Sequence, residues 1–232
     1  MPSAPSKRPA LSGAARHAAA KKPQNPVPKG PSSHEIRIIG GQWRRTRLKV
    51  LDKPGLRPTP DRVRETLFNW LGQDLTGWRC VDAFAGTGVL GLEAASRGAA
   101  HVLMVEQDAV LVRDLQDNAN RLKASMVSVQ RGDAVSTLGR LPAGSVDLVF
   151  IDPPFEGPWF EPALKAATRA VPVGGWIYLE APVAWPAEAL GALGLHCERH
   201  LKAGAVHAHL LQRVSPEAAP TSIAIPAEGD TP

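Results

Sequence analysis

From residue 79 onward the chain alternates short apolar runs with stretches of helical period, and few folds accommodate that rhythm. Residues 80–84, 101–106, 127–130, 146–151 and 176–180 read as strands, with helices predicted over 89–96, 108–123 and 160–170. Strands separated by helices cannot pair as hairpins; they must cross over and lie parallel, with helices covering both faces. The last two runs, 195–201 and 206–212, flank Lys202-Ala203-Gly204 and predict a closing antiparallel hairpin. The fold class is therefore α/β, a Rossmann-like, mostly parallel central sheet ending in an antiparallel hairpin.

Two junctions in this pattern carry chemistry. Val146 to Ile151 is a buried strand that Asp152-Pro153-Pro154-Phe155 stops, because proline lacks an N–H and fixes φ. One carboxylate, one prolyl carbonyl and one aromatic ring then meet at a strand's carboxyl end, the ligand-binding edge of open α/β sheets. The plainer alternative is a turn with Phe155 packed inside. The second junction, Asp82-Ala83-Phe84-Ala85-Gly86-Thr87-Gly88-Val89-Leu90-Gly91, fits G-x-G-x-x-G between strand and helix, and Glu106 ends the next strand. Glycines permit a tight turn against a nucleotide, and an acid at that distance can hold ribose hydroxyls. A dinucleotide oxidoreductase would share these features. The carboxylate of Asp82 favours S-adenosylmethionine instead, which has no phosphate but carries a cationic amine. Asp133, in Gly132-Asp133-Ala134, can recognise an adenine amine or cap a helix.

Charge is divided along the chain. Residues 1–64 hold 15 of the 27 lysines and arginines against three acids, whereas the remainder has 12 against 19. That asymmetry suggests a surface for a polyanion joined to a body with another task. Residues 1–33 and 215–232 lack apolar periodicity and read as disordered tails. Between them, residues 35–39 and 43–50 predict a hairpin turning on Gly40-Gly41, with Arg37, Arg44, Arg45 and Arg47 outward and Trp43 available for stacking. A solvated charged face explains the same pattern. A helix follows from Pro60, capped by Thr59, with Val63, Leu67, Trp70 and Leu71 inward and Arg57, Arg62 and Arg64 extending the basic patch. No apolar run approaches the ~18 residues of a membrane span. Cys80 and Cys197 read as buried free thiols of a reducing cytosol, and His207-Ala-His209 as strand alternation; no metal-ligand cluster is evident.

The Asp82-to-Gly88 loop together with Asp152-Pro153-Pro154-Phe155 resembles the class I methyltransferases that modify amino nitrogens. Arg37-Ile38-Ile39-Gly40-Gly41-Gln42-Trp43, Gly55-Leu56-Arg57-Pro58-Thr59 and Asp61 through Leu71 resemble, more closely, the RsmD family, over roughly residues 35–213. The resemblance implies methyl transfer from S-adenosylmethionine to the exocyclic N2 of a guanine in 16S ribosomal RNA, free or in an assembling small subunit. It implies Asp152, Pro153 and Phe155 at the reacting nitrogen, and Asp82, Phe84, Gly86, Thr87, Gly88, Glu106, Asp133 and Ala134 around the cofactor. The expected organisation is a basic tail (1–33), a basic hairpin segment (34–58), a methyltransferase domain (59–214) and a second tail (215–232), in a cytoplasmic monomer without metal or membrane partner. Alternatives are a DNA adenine or cytosine amino-methyltransferase, a protein glutamine methyltransferase, or a non-catalytic nucleic-acid-binding protein on the same fold.

Overall fold

The computed structural model describes residues 35–215 except 52, 54, 55 and 57. The tail expected over 1–33, the second tail beyond Ser215, and Arg57 lie outside the described residues. Five parallel strands form most of a seven-stranded sheet: β3 (Arg79–Asp82), β4 (His101–Glu106), β5 (Val127–Arg131), β6 (Leu148–Ile151) and β7 (Trp176–Ala181). The hairpin of β8 (Leu195–Ala203) and β9 (Val206–Arg213) adds antiparallel to β7, giving the order β5-β4-β3-β6-β7-β9-β8. The chain lays down β3, β4 and β5 in one direction and then returns to the other side of β3 with β6. The order thus reverses between β3 and β6, which opens a crevice at their carboxyl ends.

Strand β6 is buried at all four positions, as expected of a parallel strand covered on both faces. Phe150 points into one core with Cys80, Met104 and Tyr178 from neighbouring strands, covered by α1 (Asp61–Trp70), α2 (Val89–Ser96) and α3 (Ala109–Arg121). Val149 and Ile151 point the other way, into a core covered by α4 (Ala134–Arg140), α5 (Phe160–Ala170) and α6 (Ala187–Ala192). Helices α4 and α6 have seven and six residues, too few turns to show a helical period in sequence. An aromatic ladder ties α1 to the sheet: Phe68 meets Phe150 at 6.3 Å between centroids, and Phe150 meets Tyr178 edge-on at 6.3 Å. Such pairs contribute about 0.5–1.5 kcal/mol each beyond area burial.

The N-terminal hairpin forms with a different turn from the one expected. Strands β1 (Glu35–Arg37) and β2 (Arg47–Lys49) pair antiparallel with Ile36 opposite Leu48, and residues 38–46 make the connection. Gly40 and Gly41 bend the chain at the start of this longer connection, where the Gly41 carbonyl accepts the Arg44 N–H at 3.2 Å, and they also let it press against α2. A Cβ on Gly40 would overlap the Arg97 guanidinium, and one on Gly41 (φ +71°) would overlap the Ser96 carbonyl. Ile36, Ile38, Leu48 and Val50 share one core with Val63 and Leu67 of α1. The helix start also differs, since Pro60 occupies the cap position without a side-chain bond and the Thr59 hydroxyl bonds to Glu180 instead. Cys80 is buried, Cys197 half-buried, and both are free thiols. Among the described residues no helix is long and apolar enough to cross a membrane.

Candidate active site

Each of the five parallel strands delivers an acid to its carboxyl edge: Asp82 and Glu106 end β3 and β4, Glu180 is the penultimate residue of β7, Asp152 follows β6, and Asp133 lies two residues past β5. Asp82 is buried and accepts the Gly91 N–H at 2.9 Å. Burial pushes its carboxyl up to about 7, the Gly91 bond opposes this, and the charge of Glu106 adds to it. Glu106 accepts the Gly86 N–H at 3.0 Å and the Asp108 N–H at 2.8 Å. An ionised carboxylate has about four lone-pair sites, so two remain for a ligand hydroxyl. Gly86 (φ +49°) and Gly88 (φ +74°) turn the loop into α2, and a Cβ on Gly88 would overlap Leu115. The carboxylate of Glu106 thus ties the glycine loop, through Gly86, to the start of α3, through Asp108.

Phe84 is half-buried beside this loop, whereas Thr87 and Ala134 are buried. Asp133 caps α4, accepting the Ser136 N–H at 2.7 Å; its capping role is the one the contacts describe.

Asp152 is the partner of Asp82 across the crevice. Asp82 pairs with Phe150 in register, so Asp152 leaves the sheet just beyond it, half-buried, with Pro153 buried and Pro154 and Phe155 exposed. Burial holds the Asp152 carboxyl well above the usual carboxylate range, and the charges of Glu180 and Asp82 raise it further. Glu180, buried on β7, accepts the Tyr178 hydroxyl at 2.8 Å; burial raises its carboxyl too, against the Tyr178 and Thr59 bonds. In the sequence Glu180 stands out only as a residue of the strand predicted over 176–180. The available signal was that the other parallel strands also end near an acid.

The arginines expected to form one basic patch divide into three kinds. Arg44, Arg45 and Arg62 are exposed and make no ion pair among the described residues. Arg37 and Arg47 are exposed but paired with Asp61 (3.1 Å) and Glu35 (3.0 Å). Arg64 corrects the expectation, because its side chain is fully buried. It donates to Glu93 at 2.7 Å, to Asp61 at 2.5 Å, and to the carbonyls of Thr59 and Arg37 at 3.1 and 3.0 Å. Glu93, also fully buried, accepts the Ile39 and Gly40 N–H groups at 2.5 and 3.3 Å and lies 3.4 Å from Arg97. One buried ion cluster thus fastens the hairpin connection to α1 and α2. A polar cavity of about 480 Å3, lined by Arg44, Asn69, Gln73 and Arg97 among others, lies at the C-terminal end of α2, the end away from Asp82.

This arrangement, a glycine loop entering a helix and acids along the carboxyl edge of a seven-stranded sheet, is that of a class I methyltransferase, and solved structures agree. The structure of yhhF from Escherichia coli, described as a candidate methyltransferase, matches with a TM-score of 0.67 and 37% identity, over 78% of this chain and 98% of that one. Residues 36–212 match the family model described as Conserved hypothetical protein 95. The chain belongs to that family, the RsmD family of methyltransferases. Ribosomal RNA small subunit methyltransferase D of Escherichia coli K12 is 44% identical over 154 residues, covering 66% of this chain and 75% of the relative. Its Haemophilus influenzae namesake is 44% identical over 140 residues, 58% of this chain and 69% of the relative.

Proposed function

We propose that this chain transfers a methyl group from S-adenosylmethionine to the exocyclic N2 of a guanine in 16S ribosomal RNA, in the cytoplasm. The observation that carries the reading is Asp152 beside Asp82 across the crevice where strand order reverses. One acid serves the donor side, the other the acceptor. The names of the relatives supply the nucleic acid, and the residues supply the nitrogen.

S-adenosylmethionine brings an activated sulfonium methyl, so no covalent enzyme intermediate is needed and alignment is the main task. The acid-lined edge complements its two cationic centres. Asp82 would hold the methionine amine and Glu106 the ribose hydroxyls, while Gly86, whose left-handed backbone (φ +49°) has Leu56 at 3.1 Å and the Phe84 carbonyl at 3.9 Å from where a Cβ would stand, leaves no room for a side chain in the loop. Asp133 and Ala134 border the adenine side, and Phe84 and Thr87 complete the loop.

On the acceptor side, guanine N2 is a weak nucleophile because its lone pair is delocalised into the ring. Hydrogen bonds from its two N–H groups to the Asp152 carboxylate and the Pro153 carbonyl pyramidalise the nitrogen and aim its lone pair. After transfer the nitrogen must lose a proton. A carboxylate whose basicity is raised by burial and by Glu180 is the better acceptor for it. Exposed Phe155 offers a face on which the extruded base can stack. Arg44, Arg45 and Arg62, with Arg37, Arg47 and Arg57, would hold the phosphate backbone; such contacts position the RNA and carry no sequence information.

Mapping modified guanines in 16S RNA from cells with and without this gene tests the assignment. One N2-methylguanine that disappears with the gene is the expected result, and an unchanged pattern rejects it.

A further inference from the structure

Beside the Asp152 loop is a groove that the transfer reaction does not use. It is about 580 Å3 in volume, lined by Pro158, Phe160, Glu161, Pro162, Lys165 and Trp185, within the size range of small-molecule sites. Pro158 belongs to the connection out of β6 and Phe160 opens α5 directly after it, while Trp185 belongs to the connection out of β7. Both connections leave the sheet by the edge that carries Asp152. The groove therefore flanks the acceptor position rather than the cofactor loop, which leaves β3.

We infer that this groove is a second base subsite, holding a nucleobase adjacent in the RNA to the methylated guanine. The inference rests on the RNA-methylating function proposed above. Three features favour a nucleobase. The rings of Phe160 and Trp185, both half-buried, lie 6.4 Å apart at 49°, an open corner in which a flat ring can stack on one and meet the edge of the other. The corner is held in place, because buried His209 accepts the Trp185 backbone N–H at 3.2 Å through Nε2. Burial depresses this imidazole to about 4, so it stays neutral and keeps that acceptor at physiological pH. Lys165, the basic side chain in the lining, is exposed and among the described residues pairs only with exposed Glu161, at 2.6 Å. An exposed pair of that kind is weak, so the ammonium can exchange its partner for a phosphate next to the stacked base. Extruding one base leaves its neighbours unstacked on that side, and an aromatic platform on the acceptor side replaces the lost stacking.

The test compares Trp185→Phe with Trp185→Leu. Both fill the corner with apolar atoms, but only phenylalanine offers a ring face. Each is assayed for melting temperature, calorimetric affinity for S-adenosylmethionine, equilibrium affinity for 16S RNA from cells lacking the gene, and methylation kinetics on that RNA. Equal melting temperatures and cofactor affinities are expected. Trp185→Phe should stay close to wild type, while Trp185→Leu should lose between about 5- and 150-fold in RNA affinity and kcat/KM, the span of one stacking contact. RNA affinity that is the same in both variants and in wild type overturns the subsite, even if methylation is intact. If wild type binds RNA through Trp185 yet transfers no methyl to it, the subsite stands and the proposed reaction fails. Concentration-dependent self-association abolished in Trp185→Leu would assign the groove to a second copy of the chain and also overturn the proposal.

Discussion

Replacing Arg64 by alanine separates a structural arginine from the RNA-facing ones on the same segment. The guanidinium makes four hydrogen bonds, two of them to carboxylates, with no solvent exposure. Its removal leaves buried Glu93 with two backbone amides and Arg97 at 3.4 Å. Breaking a buried pair by deleting one partner costs about 3–5 kcal/mol, because the remaining charge stays desolvated. At about 2–4 °C per kcal/mol for a domain of this size, the melting temperature should fall by roughly 6–20 °C. Burial already raises the Glu93 carboxyl against the opposing Arg64 and Arg97 charges. Without Arg64 it rises further, so the folded variant binds a proton that the unfolded chain does not. The deficit should therefore shrink as pH falls from 8 towards 5. Urea unfolding at the two pH values, read by circular dichroism, measures both effects. A loss below about 1 kcal/mol at pH 8, or a loss that grows on acidification, would refute the buried-cluster account.

Replacing exposed Arg44 and Arg45 together by alanine should change stability by less than about 0.5 kcal/mol each. It should also lower RNA affinity and flatten its logarithmic salt dependence by about 0.7–0.9 per lost phosphate contact; an unchanged slope removes these residues from the interface. Asp82, raised to about 7, is largely protonated at pH 6, and a cationic ligand favours its ionised form. Affinity for S-adenosylmethionine should therefore rise as pH increases from 6 towards 7 and level off above it, with proton release at pH 6 detectable by calorimetry in two buffers. Asp82→Asn should bind weakly without that pH dependence, and a retained dependence assigns the titration elsewhere.

The strands, the three longer helices after the glycine loop and the closing hairpin were readable from sequence because their periods are local properties of the chain. The same holds for the acids: Asp82, Glu106 and Asp152 stand where strand periodicity meets turn chemistry. What sequence could not separate was one glycine or arginine from another by surroundings. Gly40-Gly41 looks like a two-residue hairpin turn, yet the pair is small because α2 lies against it. Arg64 lies between outward Arg62 and inward Leu67 in a run of mixed polarity, and only the approach of Glu93 from α2 explains why a cation is inside. Thr59 carries the signature of a cap, but the fold turns its hydroxyl to Glu180. Each of these depends on a partner distant in sequence, which pattern alone does not reveal.

The central claim is that Asp152 selects and deprotonates a guanine N2. Purified wild type and Asp152→Asn are each given labelled S-adenosylmethionine and 16S RNA from cells lacking the gene, and the RNA is then digested to nucleosides and analysed by mass spectrometry. The expected wild-type product is labelled N2-methylguanosine. Asp152→Asn should lose about 10²–10⁴-fold in turnover while its calorimetric affinity for S-adenosylmethionine stays within a few-fold of wild type. Label appearing in N6-methyladenosine or N4-methylcytidine, or full turnover in the asparagine variant, would contradict the central claim.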